Sequence, residues 1–209
     1  MLKIGIFGGT FNPVHFGHLR IGLECAEALG LDELRMIPCG LPPHRTEPCA
    51  TPEQRLKMLA LATQGTSIVV DNLELEREGH SYTVDTLKSF HADYPDASFY
   101  LIIGSDSFQN ILSWHNWQDI LKLSNIIIAQ RPDHSDDKAS KAGVRLSDRF
   151  CSIEEVVTKN AGGIACISVT QLEISASKIR ERIKQHRSVK FLLPDNVIKF
   201  IESNNLYNS

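Results

Sequence analysis

The chain reads as an α/β protein: an open parallel sheet with helices on both faces, ending in a C-terminal helical segment. Three observations predict this. Short apolar runs typical of buried strands alternate with stretches whose apolar residues recur at helical spacing, the order expected when helices connect parallel strands. At the first junction a strand ending near Phe7 passes through Gly8 and Gly9 into a helix, a turn a phosphate can approach closely. With 209 residues, 42% of them hydrophobic, the chain can bury one full core, and no internal repeat divides it. One domain over 1–209 is expected, with 175–209 as its helical portion.

Each element has its own warrant. Leu2, Ile4, Ile6 and Phe7 predict a buried first strand, and Leu19, Leu23, Ala26 and Leu29 predict the helix after it. Residues 34–38 read as a second strand. Thr51-Pro52-Glu53-Gln54 then supplies a cap, a proline at the first helical position and a glutamine three residues on, opening a helix through Ala62. Residues 67–71 and 99–103 read as strands, with a helix from Val84 to about His91 between them, and 125–129 as a further central strand. From 131 to 149 the chain is rich in Asp, Lys, Ser and His, which predicts a mobile surface excursion. From Ser175 onward two helices are expected, parted around 188–194, with Val197, Ile198, Phe200 and Ile201 forming an apolar stripe. An open sheet of this kind binds ligands beyond the carboxyl ends of its strands, so the loops after Phe7, Pro38 and Ile103 are the places for a site.

Composition excludes several classes. A net charge of -3 speaks against a general nucleic-acid binder, so cationic groups for an anionic substrate must be gathered locally. Five widely spaced cysteines, without a Cys-x-x-Cys pair, read as reduced thiols of a cytoplasmic protein. The N-terminus lacks a charged segment followed by an apolar signal core, and no apolar run reaches about 18 residues, so neither secretion nor a membrane span is expected.

Chemistry concentrates between Gly8 and His18, in the run Gly-Gly-Thr-Phe-Asn-Pro-Val-His-Phe-Gly-His. The start of a helix presents unpaired N–H groups and the positive end of its dipole, which attract anions. His15 and His18 add side-chain donors on the same turn. The loop is not a Walker A sequence, because no Gly-Lys-Ser or Gly-Lys-Thr follows, and its glycines lack dinucleotide-fold spacing. Zinc at His15 and His18 would want a third ligand, and no Cys or acidic partner stands at recognisable spacing, so no protein-held metal is expected. A second anion-facing helix start is Ile174-Ser-Ala-Ser177-Lys-Ile-Arg180, where serine can cap and Arg180 offers a planar fork of donors.

The Gly8–His18 run resembles the signature of the nucleotidyltransferase superfamily, whose histidine pair binds a nucleoside triphosphate. Pro42-Pro43-His44-Arg45, Ser81-Tyr82-Thr83, Gly104-Ser105-Asp106, Trp114 and 174–180 follow in the order and approximate spacing of bacterial nicotinate-nucleotide adenylyltransferases. The likeness spans nearly the whole chain, departing at Asn12, where many relatives carry Asp. It implies a Rossmann-like sheet and transfer of the adenylyl group of ATP, with Mg2+ on the ATP phosphates, to nicotinate mononucleotide. It further implies that Gly8, Gly9, Thr10, Phe11, His15, His18, Gly104, Asp106, Ser177 and Arg180 contact ATP. Among these His18 would serve the transferring phosphoryl group, His15 nucleotide phosphate and Arg180 the outgoing pyrophosphate. Trp114 would stack on the pyridine ring, backbone groups near Tyr82 and Thr83 would receive its carboxylate, Asp106 would bind sugar hydroxyls, and His44 and Arg45 would close over substrate phosphate. A homo-oligomer is left open. A phosphopantetheine adenylyltransferase or a cytidylyltransferase would use the same histidine loop, but Ser81-Tyr82-Thr83 with Trp114 favours a pyridine acceptor. A nucleotide sensor without catalysis is the alternative of a different class, and the intact histidine pair argues against it.

Overall fold

The computed structural model describes residues 1–40, 48–77, 79–130, 140–170 and 172–208. In chain order they form β1 (Lys3–Gly9), α1 (Phe16–Leu29), β2 (Glu33–Pro38), α2 (Pro52–Ala62), β3 (Ile68–Val70), α3 (Leu73–Glu76), α4 (Thr83–Asp93), β4 (Ser98–Gly104), α5 (Ser105–Gln109), α6 (Trp117–Leu123), β5 (Asn125–Gln130), α7 (Lys141–Arg145), α8 (Ile153–Val156), β6 (Ile164–Ser168), α9 (Ala176–Lys184) and α10 (Asp195–Ser203). The strands make one parallel sheet in the order β3-β2-β1-β4-β5-β6. Chain order reverses direction between β1 and β4, and the crevice beyond the carboxyl ends of that pair is where an open sheet receives a ligand.

Alternation along the strands sorts the apolar residues to two faces. Phe99, Leu101 and Ile103 pack with Val84, Leu87 and Phe90 of α4, Phe108 of α5 and Ile120 of α6. Tyr100 and Ile102 point the other way, toward Cys25 and Leu29 of α1, Met58 of α2, Ile179 of α9 and Val197 of α10. Side chains buried on both faces explain why the strands read as continuous apolar runs, and each fully buried Ile or Phe contributes about 1.5–3 kcal/mol.

Local signals hold where the chain punctuates itself. Thr51 Oγ1 accepts from Gln54 N at 3.3 Å while Thr51 N donates to Gln54 Oε1 at 2.9 Å, the reciprocal cap expected for α2. Helix α1 stops at Gly30, whose φ of 56° turns the chain back so that its N–H meets Glu27 O at 3.2 Å. The excursion expected over 131–149 needs correction in its described part. Ser140 caps α7, and Ala142 and Leu146 are buried against the α4 face, so 140–149 is anchored by two apolar residues too sparse to register as a helical stripe. Residues 131–139 lie outside the described residues. A sixth strand, β6, closes the sheet at its edge beside β5. It is joined through Asn125, wholly buried, whose Nδ2 donates to Lys159 O at 2.8 Å and whose Oδ1 accepts from Gly163 N at 2.9 Å.

Candidate active site

The histidine loop leaves β1 at its carboxyl end, and Cys39 N donates to Gly9 O at 2.9 Å, keeping the ends of β1 and β2 side by side. A methyl group at Gly8 would meet nothing within 4 Å, whereas one at Gly9 would stand 2.9 Å from the ring of Phe11. Gly8 therefore faces open space, and Gly9 lets the buried Phe11 fold back under the loop. Phe11 pays for that position with a left-handed φ of 47°.

His15 caps α1 from an extended conformation, and His18 is its third residue. His15 N donates to His18 Nδ1 at 3.3 Å, so in the neutral ring the proton of His18 sits on Nε2. The two rings stack at 3.7 Å and 27°, and Phe11 meets His18 edge-on at 5.1 Å. Burial lowers His15 to about 4. Burial, and then repulsion from His15, holds His18 well below its ordinary 6.5. Both are therefore neutral N–H donors at pH 7. His15 Nδ1 is buried without a hydrogen-bond partner, an orphaned polar atom at the mouth of α1.

Three distant segments fasten the loop. From α2, the buried Arg55 donates through Nη1 to Thr10 O at 3.1 Å and Cys39 O at 2.8 Å. From α9, Arg180 donates through Nη1 to Asn12 O at 2.7 Å and through Nη2 to Ser177 Oγ at 3.2 Å. Near the C-terminus, Tyr207 donates its hydroxyl to Asn12 Oδ1 at 2.7 Å. Ser175 rather than Ser177 caps α9, accepting from Lys178 N at 3.4 Å, which leaves Ser177 exposed beside the guanidinium. Arg180 has five N–H groups and spends two, so it keeps donors for an anion. Of the residues expected to meet triphosphate, Arg180 with Ser177 reaches the loop at Asn12, three residues before His15, and His15 stacks on His18. Arg55 and Tyr207 escaped the sequence reading, since neither stands in a local pattern that marks a 45- or 195-residue contact.

A second group gathers at the carboxyl ends of β2 and β4. Gly104 precedes α5 and a side chain there would meet nothing within 4 Å; Asp106 is exposed in the first turn of that helix. Tyr82 stands at the N-cap of α4 without a side-chain cap, and Thr83 begins the helix. The ring of Tyr82 lies 4.4 Å from that of His115, next in sequence to Trp114, and Tyr82, Trp114 and Trp117 pack on the α4 face of the core. Ser81 Oγ donates to Glu74 O at 3.2 Å, and Glu74 accepts from Thr86 Oγ1 at 2.8 Å, with burial raising its carboxyl. The turn expected to hold Trp114 thus also brings His115 against Tyr82, a ring contact signalled in sequence only by the place of His115 between two tryptophans. His44 and Arg45 lie outside the described residues. Among those residues no group of three or more His, Cys, Asp and Glu side chains could hold a metal ion.

A six-stranded parallel sheet with a neutral histidine pair at the first strand-to-helix turn, and an arginine reaching it from a late helix, is a nucleotidyltransferase architecture. A family model for cytidylyltransferase-like proteins matches residues 6–182, and the chain belongs to that family. Within it the likeness runs to the nicotinate-nucleotide adenylyltransferases. A probable nicotinate-nucleotide adenylyltransferase of Pseudomonas putida is 41% identical over 209 residues, covering 99% of this chain and 95% of the relative. One from Methylococcus capsulatus is 42% identical over 207 residues, covering 98% and 99%. Among solved structures, a Plasmodium falciparum nicotinic acid mononucleotide adenylyltransferase complexed with NaAD superposes with a TM-score of 0.76. It covers 100% of this chain and 98% of its own at 21% identity, a likeness of fold.

Proposed function

We propose that the protein transfers the adenylyl group of ATP to nicotinate mononucleotide, releasing pyrophosphate and forming nicotinate adenine dinucleotide, a step of NAD biosynthesis. The observation that carries this reading is the stacked, neutral His15–His18 pair in a loop that Arg180 reaches at Asn12, in a chain aligned end to end with relatives of that name. An oxygen of the acceptor's 5′-phosphate attacks the α-phosphorus of ATP, the new P–O bond forms, and the bond to the β-phosphate oxygen breaks. Acceptor and leaving group are already present in the substrates, so the protein aligns them and stabilises developing charge.

His18, with its proton on Nε2, donates to an α-phosphate oxygen. His15 donates to nucleotide phosphate, and Ser177 with the remaining N–H groups of Arg180 takes the β and γ phosphates as pyrophosphate departs. Gly8, Gly9, Thr10, Phe11, Gly104 and Asp106 shape the remainder of the ATP site. On the acceptor side Trp114 and Tyr82 stack about the pyridine ring, and backbone N–H groups near Thr83 take its carboxylate. Donors there favour an acid over an amide, whose NH2 would face them without an acceptor. The donor set facing the phosphates is imidazole, hydroxyl and guanidinium, unfit as a cage for Mg2+, which prefers oxygen ligands and substrate phosphates. The ion therefore enters as part of the MgATP substrate. The chain acts as one unit over 1–209, and among the described residues no helix is long and apolar enough to cross a membrane.

Purified protein supplied with MgATP and a panel of acceptor phosphates, with pyrophosphate release followed, tests the reading. Nicotinate mononucleotide is expected to be used more efficiently than nicotinamide mononucleotide. Equal efficiency with acid and amide, or transfer only to phosphopantetheine, would overturn it.

A further inference from the structure

The C-terminal tail reaches the histidine loop at one residue. Helix α10 is set against α2, where Asn196 Nδ2 donates to Leu61 O at 2.6 Å. Beyond α10 the chain coils back: Leu206 N donates to Ile201 O at 3.0 Å, and Asn205 and Tyr207 adopt left-handed φ values of 49° and 67°. That geometry buries the Tyr207 side chain and aims its hydroxyl at Asn12 Oδ1, 195 residues away, at 2.7 Å. The partner is itself buried, 7% exposed, and its own carbonyl oxygen is the acceptor for Arg180 Nη1. Asn12 is thus gripped at both ends, its amide by the tail and its carbonyl by the arginine.

We propose that Tyr207 is a positioning residue for triphosphate binding, holding Asn12 so that its carbonyl docks the Arg180 guanidinium with the remaining donors turned toward phosphate. This rests on the adenylyl-transfer reading for Arg180 but not on the identity of the acceptor. The hydroxyl is needed rather than the ring: a phenylalanine would keep the packing and leave Asn12 Oδ1 buried without a donor, a cost that relaxes through rotation of the residue Arg180 leans on. The acceptor half of the site, built on α4 and the turn at Trp114, makes no contact with the tail through this link.

The test is equilibrium binding of the non-transferable analogue adenosine 5′-(α,β-methylene)triphosphate with Mg2+, and separately of nicotinate mononucleotide, to the wild-type protein and to Tyr207→Phe, Asn12→Ala and the double variant. Tyr207→Phe is expected to weaken the analogue at least about fivefold, with acceptor binding within about twofold. The double variant should be no weaker than Asn12→Ala alone, because the phenol acts only through Asn12. Analogue binding unchanged in Tyr207→Phe would overturn the proposal. So would losses that multiply in the double variant, or a loss of nicotinate mononucleotide binding as large as that of the analogue. Failure of the wild type to transfer to any pyridine nucleotide would overturn the reaction instead, because the analogue reports the Tyr207 link directly.

Discussion

Two stacked imidazoles at the start of α1 could each attract a proton, and a charged pair 3.7 Å apart would repel itself. Burial decides the matter, since it penalises the charged form of both rings and leaves two neutral donors. His18→Ala should therefore lower kcat by about 100- to 1,000-fold, the usual cost of one donor to developing charge. The fold should persist, judged by circular dichroism and melting temperature; a folded variant with near wild-type turnover would remove His18 from the chemistry. The same burial has a stability consequence whose sign follows from linkage. The unfolded chain protonates His15 near 6.5 and the folded chain only near 4, so acid favours unfolding. The contribution of His15 is whole above pH 6.5 and is lost as pH falls toward 4, amounting to at most about 3 kcal/mol for a shift of this size. Melting temperatures of wild type and His15→Gln across that window should draw together in acid, and parallel curves would contradict the assignment.

At the scale of elements, strand ends and helix starts must approach closely at the site, and two glycines there make opposite demands. At Gly40, just past β2, a methyl group would lie 2.6 Å from Glu74 O and 2.5 Å from Ser81 Oγ, and the backbone carbonyl cannot yield cheaply. Gly40→Ala should cost about 1–3 kcal/mol of stability by overpacking, read from chemical denaturation. Gly8 in β1 meets nothing, so Gly8→Ala should leave stability within about 0.5 kcal/mol while raising the KM for MgATP, because the proposed reaction brings phosphate into that open space. A Gly8→Ala protein with unaltered ATP kinetics would show that the space is not used. The elements themselves were legible to different degrees. Helix α2 announces its start through Thr51, Pro52 and Gln54, a purely local arrangement, and β6 carries its own apolar run after Gly162-Gly163, whereas α7 depends on what it packs against. Ile164 and Ala142 become core residues only once β5 and α5 are beside them.

For the whole molecule, the site divides into halves built from separate stretches of chain. The half proposed to hold the triphosphate joins the loop after β1 to α9 and the tail, while the half proposed to hold the acceptor joins α4 to the turn at Trp114. Trp114→Ala should accordingly raise the KM for nicotinate mononucleotide and leave that for MgATP within about twofold. An aromatic contact adds about 0.5–1.5 kcal/mol beyond area burial, so the loss should appear in affinity more than in turnover. Steady-state kinetics varying each substrate in turn decide it, and a defect confined to ATP would put Trp114 in the other half.

By itself the sequence determined the parallel α/β class, the strand-to-helix turn that carries His15 and His18, and the expectation that Ser177 and Arg180 serve the same anion. Those features are written in local periodicity, caps and short motifs, which physics reads within a few turns of chain. Only the tertiary structure decided that the strand order reverses between β1 and β4, that the ring of His115 lies against Tyr82, and that Arg55, Arg180 and Tyr207 converge on residues 10–12. Each of those is a contact between residues far apart in the chain, chosen by burial and hydrogen-bond satisfaction across the packed core, and no window of neighbouring residues holds that information.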